Sequence, residues 1–176
     1  MPEANQIELM ERAIGRLAML AARVETNTDW LLVAVRRWRD GVPSGSLYPD
    51  SDGRQPADII ADTLGKAPRT AADRLKEAHR VLPTGSDFPQ AVREEVIACA
   101  TEAGRLQPER NRYVHDAMVL IEPDLWSRSG GYASEGTPVT IADVERLVEE
   151  YKSLATRTAD ATFDVLLLPT RARTVR

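Results

Sequence analysis

The sequence predicts an all-α fold, a single helical bundle built on two long helices. Two observations predict this class. Apolar residues recur at alternating steps of three and four over long stretches near both ends of the chain, and prolines and glycines gather between those stretches. A length of 176 residues is enough for one domain with its own core, so residues 1–176 are treated as one domain.

The first helix is predicted to run from Ile7 to about Arg39, with only Thr28 interrupting its apolar seam. A period of 3.5 residues over this length predicts one continuous helix of about 50 Å, at ~1.5 Å per residue. Gly41 and Pro43 then stop it. A helix this long needs a long partner. Its apolar positions are Ile7, Met10, Ile14, Leu17, Ala21, Val24, Leu31, Val35 and Trp38.

The partner is predicted near the other end of the chain, where Thr140 and Asp143 have the spacing of a capping box. Pro169 stops this last helix. Residues 169–176 then form a tail with three arginines, which we interpret as a frayed basic end rather than a phosphate-binding arm. The apolar seam consists of Val144, Leu147, Tyr151, Leu154, Ala161, Val165 and Leu168 around Thr158.

Shorter helices are predicted between the two long ones. Thr70 caps one of them, Pro89 opens the next, and Pro108 opens a further helix in which Ala117, Met118 and Ile121 would face inward. Before these, the segment Pro56–Leu64 predicts a helical turn and residues 41–55, rich in turn formers, predict an exposed loop. The buried positions of the first two are Ala71, Leu75, Ala78, Leu82, Val92, Val96, Cys99, Ala103 and Leu106.

The pattern changes between Glu122 and Pro138. A Ser-Gly-Gly sequence lies at the centre of this stretch, with apolar and aromatic residues on both sides. Such a pattern is typical of a short β-hairpin or an ordered loop placed before the last helix. The flanking residues are Leu125, Trp126, Tyr132 and Val139.

The composition narrows the function classes. Of 23 basic residues 20 are arginines, yet the net charge is −4, which argues against a broad basic face. The single cysteine, Cys99, excludes an intramolecular disulfide and a cysteine-rich zinc site, and no other residues form a recognisable metal or cofactor motif. Without a signal peptide or a membrane-spanning apolar run, we expect a cytoplasmic protein with no cofactor and no membrane partner.

One stretch contains candidate catalytic residues. It starts at Pro108 and includes Arg110, Asn111 and His115. Asn111 and His115 are four residues apart, so a helix places them on the same side. Arg110 points nearer the middle of the apolar face, from where its long side chain can bend toward the other two. A cation, an amide and an imidazole that converge suit a phosphate.

These residue types match what RNA cleavage without a metal needs. An imidazole can take the proton of a 2′-hydroxyl and give one to the leaving oxygen, so His115 is the candidate acid and base. Arg110 is the candidate for stabilising the phosphorane, and Asn111 for orienting the imidazole or a phosphate oxygen. Because one such set has a single histidine, a symmetric homodimer is the natural way to complete the site.

At Arg110, Asn111 and His115 the chain resembles the HEPN superfamily, whose helical-bundle members have an arginine, a polar residue and a histidine at this spacing at the start of a late helix, where Pro108 places the motif here. The resemblance implies a metal-independent endoribonuclease of a bacterial defence or toxin–antitoxin system, with an antitoxin or another protein as partner. It also implies an acid in the first helix, for which Glu25 and Asp29 are the candidates. The toxin branch commonly has tyrosine two residues after the histidine, where this chain has Ala117, so regulation through that tyrosine is not carried over.

A second interpretation stays open. The same fold can serve as a non-catalytic interaction or oligomerisation module, in which Arg110 pairs with Glu25 or Asp29 and His115 packs at the helix edge. Arg105 and Arg112 add to the local positive charge beside Arg110 and are candidates for supporting an RNA contact.

Overall fold

The computed structural model describes residues 2–39, 61, 70–82, 88–115, 117–122, 124–129 and 138–169. These residues form a helical bundle with a small antiparallel sheet before the last helix, which confirms the predicted class. In chain order the elements are α1 (Pro2–Arg39), α2 (Ala71–Val81), α3 (Gln90–His115), β1 (Ala117–Glu122), β2 (Leu125–Ser129), β3 (Pro138–Val139) and α4 (Ile141–Leu167). Residues 41–55, Tyr132, the tail beyond Pro169 and all of Pro56–Leu64 except the helical Ala61 lie outside the described part.

The two long helices pack side by side and run parallel. Arg16 of α1 pairs with Glu145 of α4, and further along the indole Nε1 of Trp38 donates to the backbone oxygen of Pro169 at 3.2 Å. Since the partner numbers rise together, the first and last helices start at the same end of the bundle. No helix in the described ranges is both long enough and apolar enough to span a bilayer.

The threonines that interrupt both seams are buried and satisfied on their own helices. Thr28 is fully buried, and its hydroxyl donates to the backbone oxygen of Glu25 at 2.8 Å. Thr158, also fully buried, donates to the backbone oxygen of Leu154 at 2.9 Å. Because each hydroxyl has a local acceptor, both polar residues lie in the core without breaking the seam.

Ion pairs align α3 against α4. Arg157 of α4 reaches Glu95 at 2.6 Å and Glu102 at 2.7 Å, and Arg146 reaches Glu109 at 2.8 Å. Among these pairs, a higher residue number on α4 goes with a lower residue number on α3, so the two helices are antiparallel. These arginines serve the contact between helices, in agreement with an interpretation in which most of the 20 arginines are unrelated to nucleic acid.

The prediction of a separate helix that begins at Pro108 was wrong, because Pro108 lies inside the continuous helix α3. A proline in a helix removes one hydrogen bond, at a cost of ~3 kcal/mol. Here both Pro108 and Gly104, four residues earlier, are exposed, so water can hydrate the released carbonyl. Leu106 and Tyr113 on either side are 0% and 5% exposed, and burying them offsets the cost.

The prediction that this helix continues beyond His115, with Ala117, Met118 and Ile121 on its inner face, was also wrong. Residues 117–122 form β1, which pairs with β2 so that Met118 lies opposite Arg128 and Leu120 opposite Trp126. The run Met-Val-Leu-Ile is suited to a strand, and Ile121 is 58% exposed instead of facing inward. The hairpin itself, with Trp126 and Val139 buried, agrees with the prediction for this stretch.

The predicted capping box at the start of α4 is present. The hydroxyl of Thr140 accepts from the backbone N–H of Asp143 at 3.2 Å, and the Asp143 carboxylate accepts from the backbone N–H of Thr140 at 2.9 Å. These bonds hold the pKa of Asp143 below its usual range, because they favour the charged form.

We expect Thr140→Ala to lower the free energy of unfolding by about 1 kcal/mol, because it leaves a backbone donor at the helix start unsatisfied. Urea denaturation of both proteins measures the difference. The control is Thr156→Ala, an exposed threonine inside α4 whose hydroxyl donates to Lys152 within its own helix. That variant should stay within about 0.5 kcal/mol of the parent, and an equal loss in both variants would contradict the capping role.

A charged cluster joins α2 to α1. Glu77 of α2 accepts from Arg80 at 2.7 Å on its own helix and from Arg36 of α1 at 3.1 Å. The hydrogen bonds from Arg80 and Arg36 lower the pKa of Glu77 to about 2. In the folded state the carboxylate therefore stays charged in acid that protonates it in the unfolded chain.

We expect Glu77→Gln to cost on the order of 1 kcal/mol of unfolding free energy at neutral pH. Because the folded pKa is depressed, this contribution is complete above about 4.5, the ordinary value for glutamate, and is lost as the pH falls through about 2. Urea denaturation of both proteins over that range tests it. Glu11→Gln, at an exposed position of α1, is the control, and a Glu77→Gln difference that does not shrink in acid would contradict the assignment.

Candidate functional site

The candidate residues Arg110, Asn111 and His115 lie in the last turns of α3. The motif was predicted at a helix start, and that placement was wrong because α3 begins at Gln90. The arrangement of the three side chains is therefore set by the far end of a long helix packed against α4. The next element, β1, begins at Ala117, immediately beyond this end.

Arg110 and Asn111 are joined directly. Nη1 of Arg110 donates to Oδ1 of Asn111 at 2.9 Å. The Nε of Arg110 is buried and has no hydrogen-bond acceptor in the described part of the chain. A guanidinium whose described hydrogen-bond partner is a neutral amide leaves its charge uncompensated by hydrogen bonding.

Arg110 borders a narrow cavity where α1, α2, α3 and α4 meet. The cavity measures about 20 Å³, which is room for about one water molecule. Glu25 of α1 and Tyr151 of α4 also border it. Burial raises the pKa of Tyr151 to about 12, so this phenol stays protonated and can serve as a donor in the cavity.

The two candidate acids of α1 differ in what they contact. Nε of Arg74 lies 3.1 Å from Oδ1 of Asp29, so Asp29 pairs with α2. Burial raises the pKa of Asp29 above its usual range, with Arg74 opposing the effect. Within the described residues Arg110 forms no ion pair with Glu25 or Asp29, although Glu25 borders the same cavity. The pairing that the non-catalytic interpretation expects is thus not formed.

His115 is exposed at the last position of α3. It follows Asn111 by four residues and Arg112 by three, so the three side chains are neighbours on one side of the helix. Arg110, five residues earlier, is turned about 140° away. The structure brings Arg110 to Asn111, and Asn111 to the side of His115, but it does not place Arg110 beside the imidazole.

A cleft of about 410 Å³ opens between α3, β3 and the start of α4, and Arg112 lines it whereas Asn111 and His115 do not. Arg105, Arg112 and Arg146 line it, together with Glu109 and Asp143. The sequence pointed to Arg105 and Arg112 but not to Arg146, because the antiparallel alignment that brings α4 to this position depends on tertiary contacts. The sequence gives one signal for Arg146, which is its position four residues before Glu150. That spacing predicts an ion pair on a helix surface and does not indicate a cleft.

The arginines of the cleft differ in their partners. Arg105 pairs with Glu150, and Arg146 pairs with Glu150 and Glu109. Arg112 is exposed and forms no ion pair with any described residue. The positive charge that remains available in the cleft is therefore that of Arg112.

The remaining reactive side chains do not form a site. The described ranges contain no cluster of three side chains suited to a metal ion. Cys99 is fully buried, as predicted, with Sγ 3.4 Å from Oε1 of Glu95. Burial, with a smaller effect of Glu95, raises the pKa of the Cys99 thiol to about 12, so it is not a nucleophile near neutral pH. His79, the other histidine, is exposed on α2.

Comparison with protein-family models gives no matching family, and comparisons with curated proteins and with solved structures give no match. The resemblance to the HEPN superfamily consequently rests on Arg110, Asn111 and His115 alone and stays a prediction.

We expect the Cys99 thiol to be unreactive toward Ellman's reagent in the native protein, because the thiol is both buried and protonated. One equivalent should react once the protein is unfolded in guanidinium chloride. The absorbance of the released thiolate measures both rates. Full reaction within seconds in native buffer would contradict the assignment of Cys99 to the core.

Proposed function

We propose that this chain is a metal-independent endoribonuclease of a bacterial defence or toxin–antitoxin system, acting in the cytoplasm. The observation that supports it is the arrangement at the end of α3. His115 is exposed there, Asn111 lies one turn before it, and the amide of Asn111 is held by Arg110 at 2.9 Å.

The hydrogen bond from Arg110 decides what Asn111 can offer. Because Oδ1 of Asn111 accepts from Arg110, the two hydrogens of Nδ2 point away from the guanidinium. They are available to a phosphate oxygen or to the substrate on the exposed side. Arg110 then acts on the phosphorane through Asn111, by fixing the amide and adding positive charge behind it.

The reaction is an internal transfer at phosphorus. His115 takes the proton of the 2′-hydroxyl, the 2′-oxygen attacks phosphorus, and the bond to the 5′-oxygen breaks. The leaving oxygen takes a proton from an imidazolium, and the product strand ends in a 2′,3′-cyclic phosphate. Arg110 and Asn111 lower the energy of the phosphorane, on which negative charge accumulates.

A homodimer supplies what one chain lacks. The proposed site has one histidine, whereas the reaction removes one proton and adds another. Two copies related by a two-fold axis would present two His115 side chains to one phosphate. A protein partner such as an antitoxin would act by covering this exposed end of α3.

A second candidate function is a non-catalytic interaction module. Phe163 and Leu167 at the end of α4 are 59% and 81% exposed, and they lie four residues apart on one side of the helix. A second protein that covered both side chains would remove their apolar surface from water, which favours association. This function needs neither Arg110 nor His115.

The decisive experiment compares the parent protein with His115→Ala on mixed RNA in the presence of EDTA. We expect the parent to release fragments ending in 2′,3′-cyclic phosphate and the variant to cleave at least about 100-fold more slowly, since it lacks the proton-transfer group. Quantification of cyclic ends and gel analysis of the fragments measure the difference.

The matched control is His79→Ala, which removes the other exposed histidine from a different helix. It should cleave as the parent does. Equal cleavage by His115→Ala and the parent would show that the activity has another source, and the absence of cleavage by the parent would favour the interaction module. Light scattering on the same samples reports whether the chain is a dimer.

A further inference from the structure

We propose that the cleft between α3, β3 and the start of α4 binds the phosphate backbone of single-stranded RNA, with Arg112 as the residue that contacts phosphate. This inference rests on the proposed action on RNA and assigns the substrate contact to a different arginine from Arg110.

The cleft has the size of a ligand site. Its volume of about 410 Å³ lies within the range of 300–1,000 Å³ that is usual for ligand pockets. The cavity beside Arg110, at about 20 Å³, admits no phosphate. An anion that approaches this end of α3 therefore finds room next to Arg112 and not behind the helix next to Arg110.

The carboxylates that line the cleft are already engaged. Oδ2 of Asp143 accepts from the backbone and hydroxyl of Thr140, and Glu109 accepts from Arg146 at 2.8 Å. Neither carboxylate forms an ion pair with Arg112, which pairs with no residue the structure describes. A fork of unoccupied guanidinium donors at the edge of an open cleft suits a phosphodiester.

Arg112 is also next to the proposed reactive group. It precedes His115 by three residues, and side chains at that spacing are neighbours on a helix surface. A strand that contacts Arg112 through one phosphate would bring an adjacent phosphate to His115. The lining of the cleft is mostly charged, and its buried apolar residue Val139 offers no side-chain hydrogen bond to a base edge. We therefore expect backbone recognition with little sequence preference.

The test measures binding without cleavage. In a His115→Ala background with EDTA, the affinity for a fluorescein-labelled single-stranded RNA of mixed sequence is measured by anisotropy over a series of salt concentrations. We expect Arg112→Gln to weaken binding about tenfold at the lowest salt. The slope of log K against log salt should fall by about 0.7, the value for one lost phosphate contact with a single strand.

Two further variants make the result specific. Arg23→Gln removes an exposed arginine of α1 that also forms no ion pair with a described residue, so it changes the net charge equally. Its salt slope should equal that of the His115→Ala parent. Arg112→Lys keeps the charge and should restore most of the slope, which a merely structural role of Arg112 would not require.

An unchanged slope in Arg112→Gln, or an equal loss in Arg23→Gln, would overturn the proposal. It would also be overturned if millimolar inorganic phosphate displaced the RNA at constant ionic strength, because the site would then be one for a small anion. The outcome is separate from that of the nuclease experiment. If the parent does not cleave RNA but Arg112→Gln loses slope, the cleft binds RNA and the proposed chemistry fails. If cleavage depends on His115 while the slope of Arg112→Gln is unchanged, the proposed chemistry stands and the RNA contact of Arg112 fails.

Discussion

The parallel contact between α1 and α4 is the constraint on which the rest of the structure depends. A hydrogen bond crosses the middle of this contact, from Nδ2 of Asn27 on α1 to the backbone oxygen of Ala155 on α4 at 2.7 Å, between the Arg16 and Trp38 contacts. A shift of either helix would break this partly buried bond. The buried apolar face of α3 packs into the same core, and the ion pairs of Arg157 and Arg146 mark its antiparallel alignment with α4.

The position of α3 separates two environments around its last turns. On one side, Arg110 borders the cavity between α1, α2, α3 and α4, and its guanidinium donates to Asn111. On the other side, Arg112 faces an open cleft next to β3. Arg110 and Arg112 are two residues apart on one helix, yet their side chains have different surroundings and different roles. Arg110 positions the amide of Asn111, whereas the guanidinium donors of Arg112 are available to a ligand.

Periodicity and capping were enough to predict both long helices, because their signals are local and repeat over many turns. The end of the Pro108 helix and the start of β1 were not predictable in the same way. Proline is a strong local signal, but burial of Leu106 and Tyr113 on the core side of α3 outweighs it, and burial is a tertiary property. The spacing from Asn111 to His115 is a helix property and was predictable, whereas the cleft depends on the alignment of α3 with α4.

The parallel direction of the first and last helices also determines how the bundle bears a mechanical load. The described chain starts at one end of α1 and finishes at the opposite end of α4. A pulling force applied at these two points acts along the seam, so it slides the helices past each other instead of peeling them apart. The hydrogen bond of Asn27, the ion pair of Arg16 and the interdigitated apolar side chains are then loaded together. The seam resists extension as one unit, while the hairpin and α2 lie outside the path of the force.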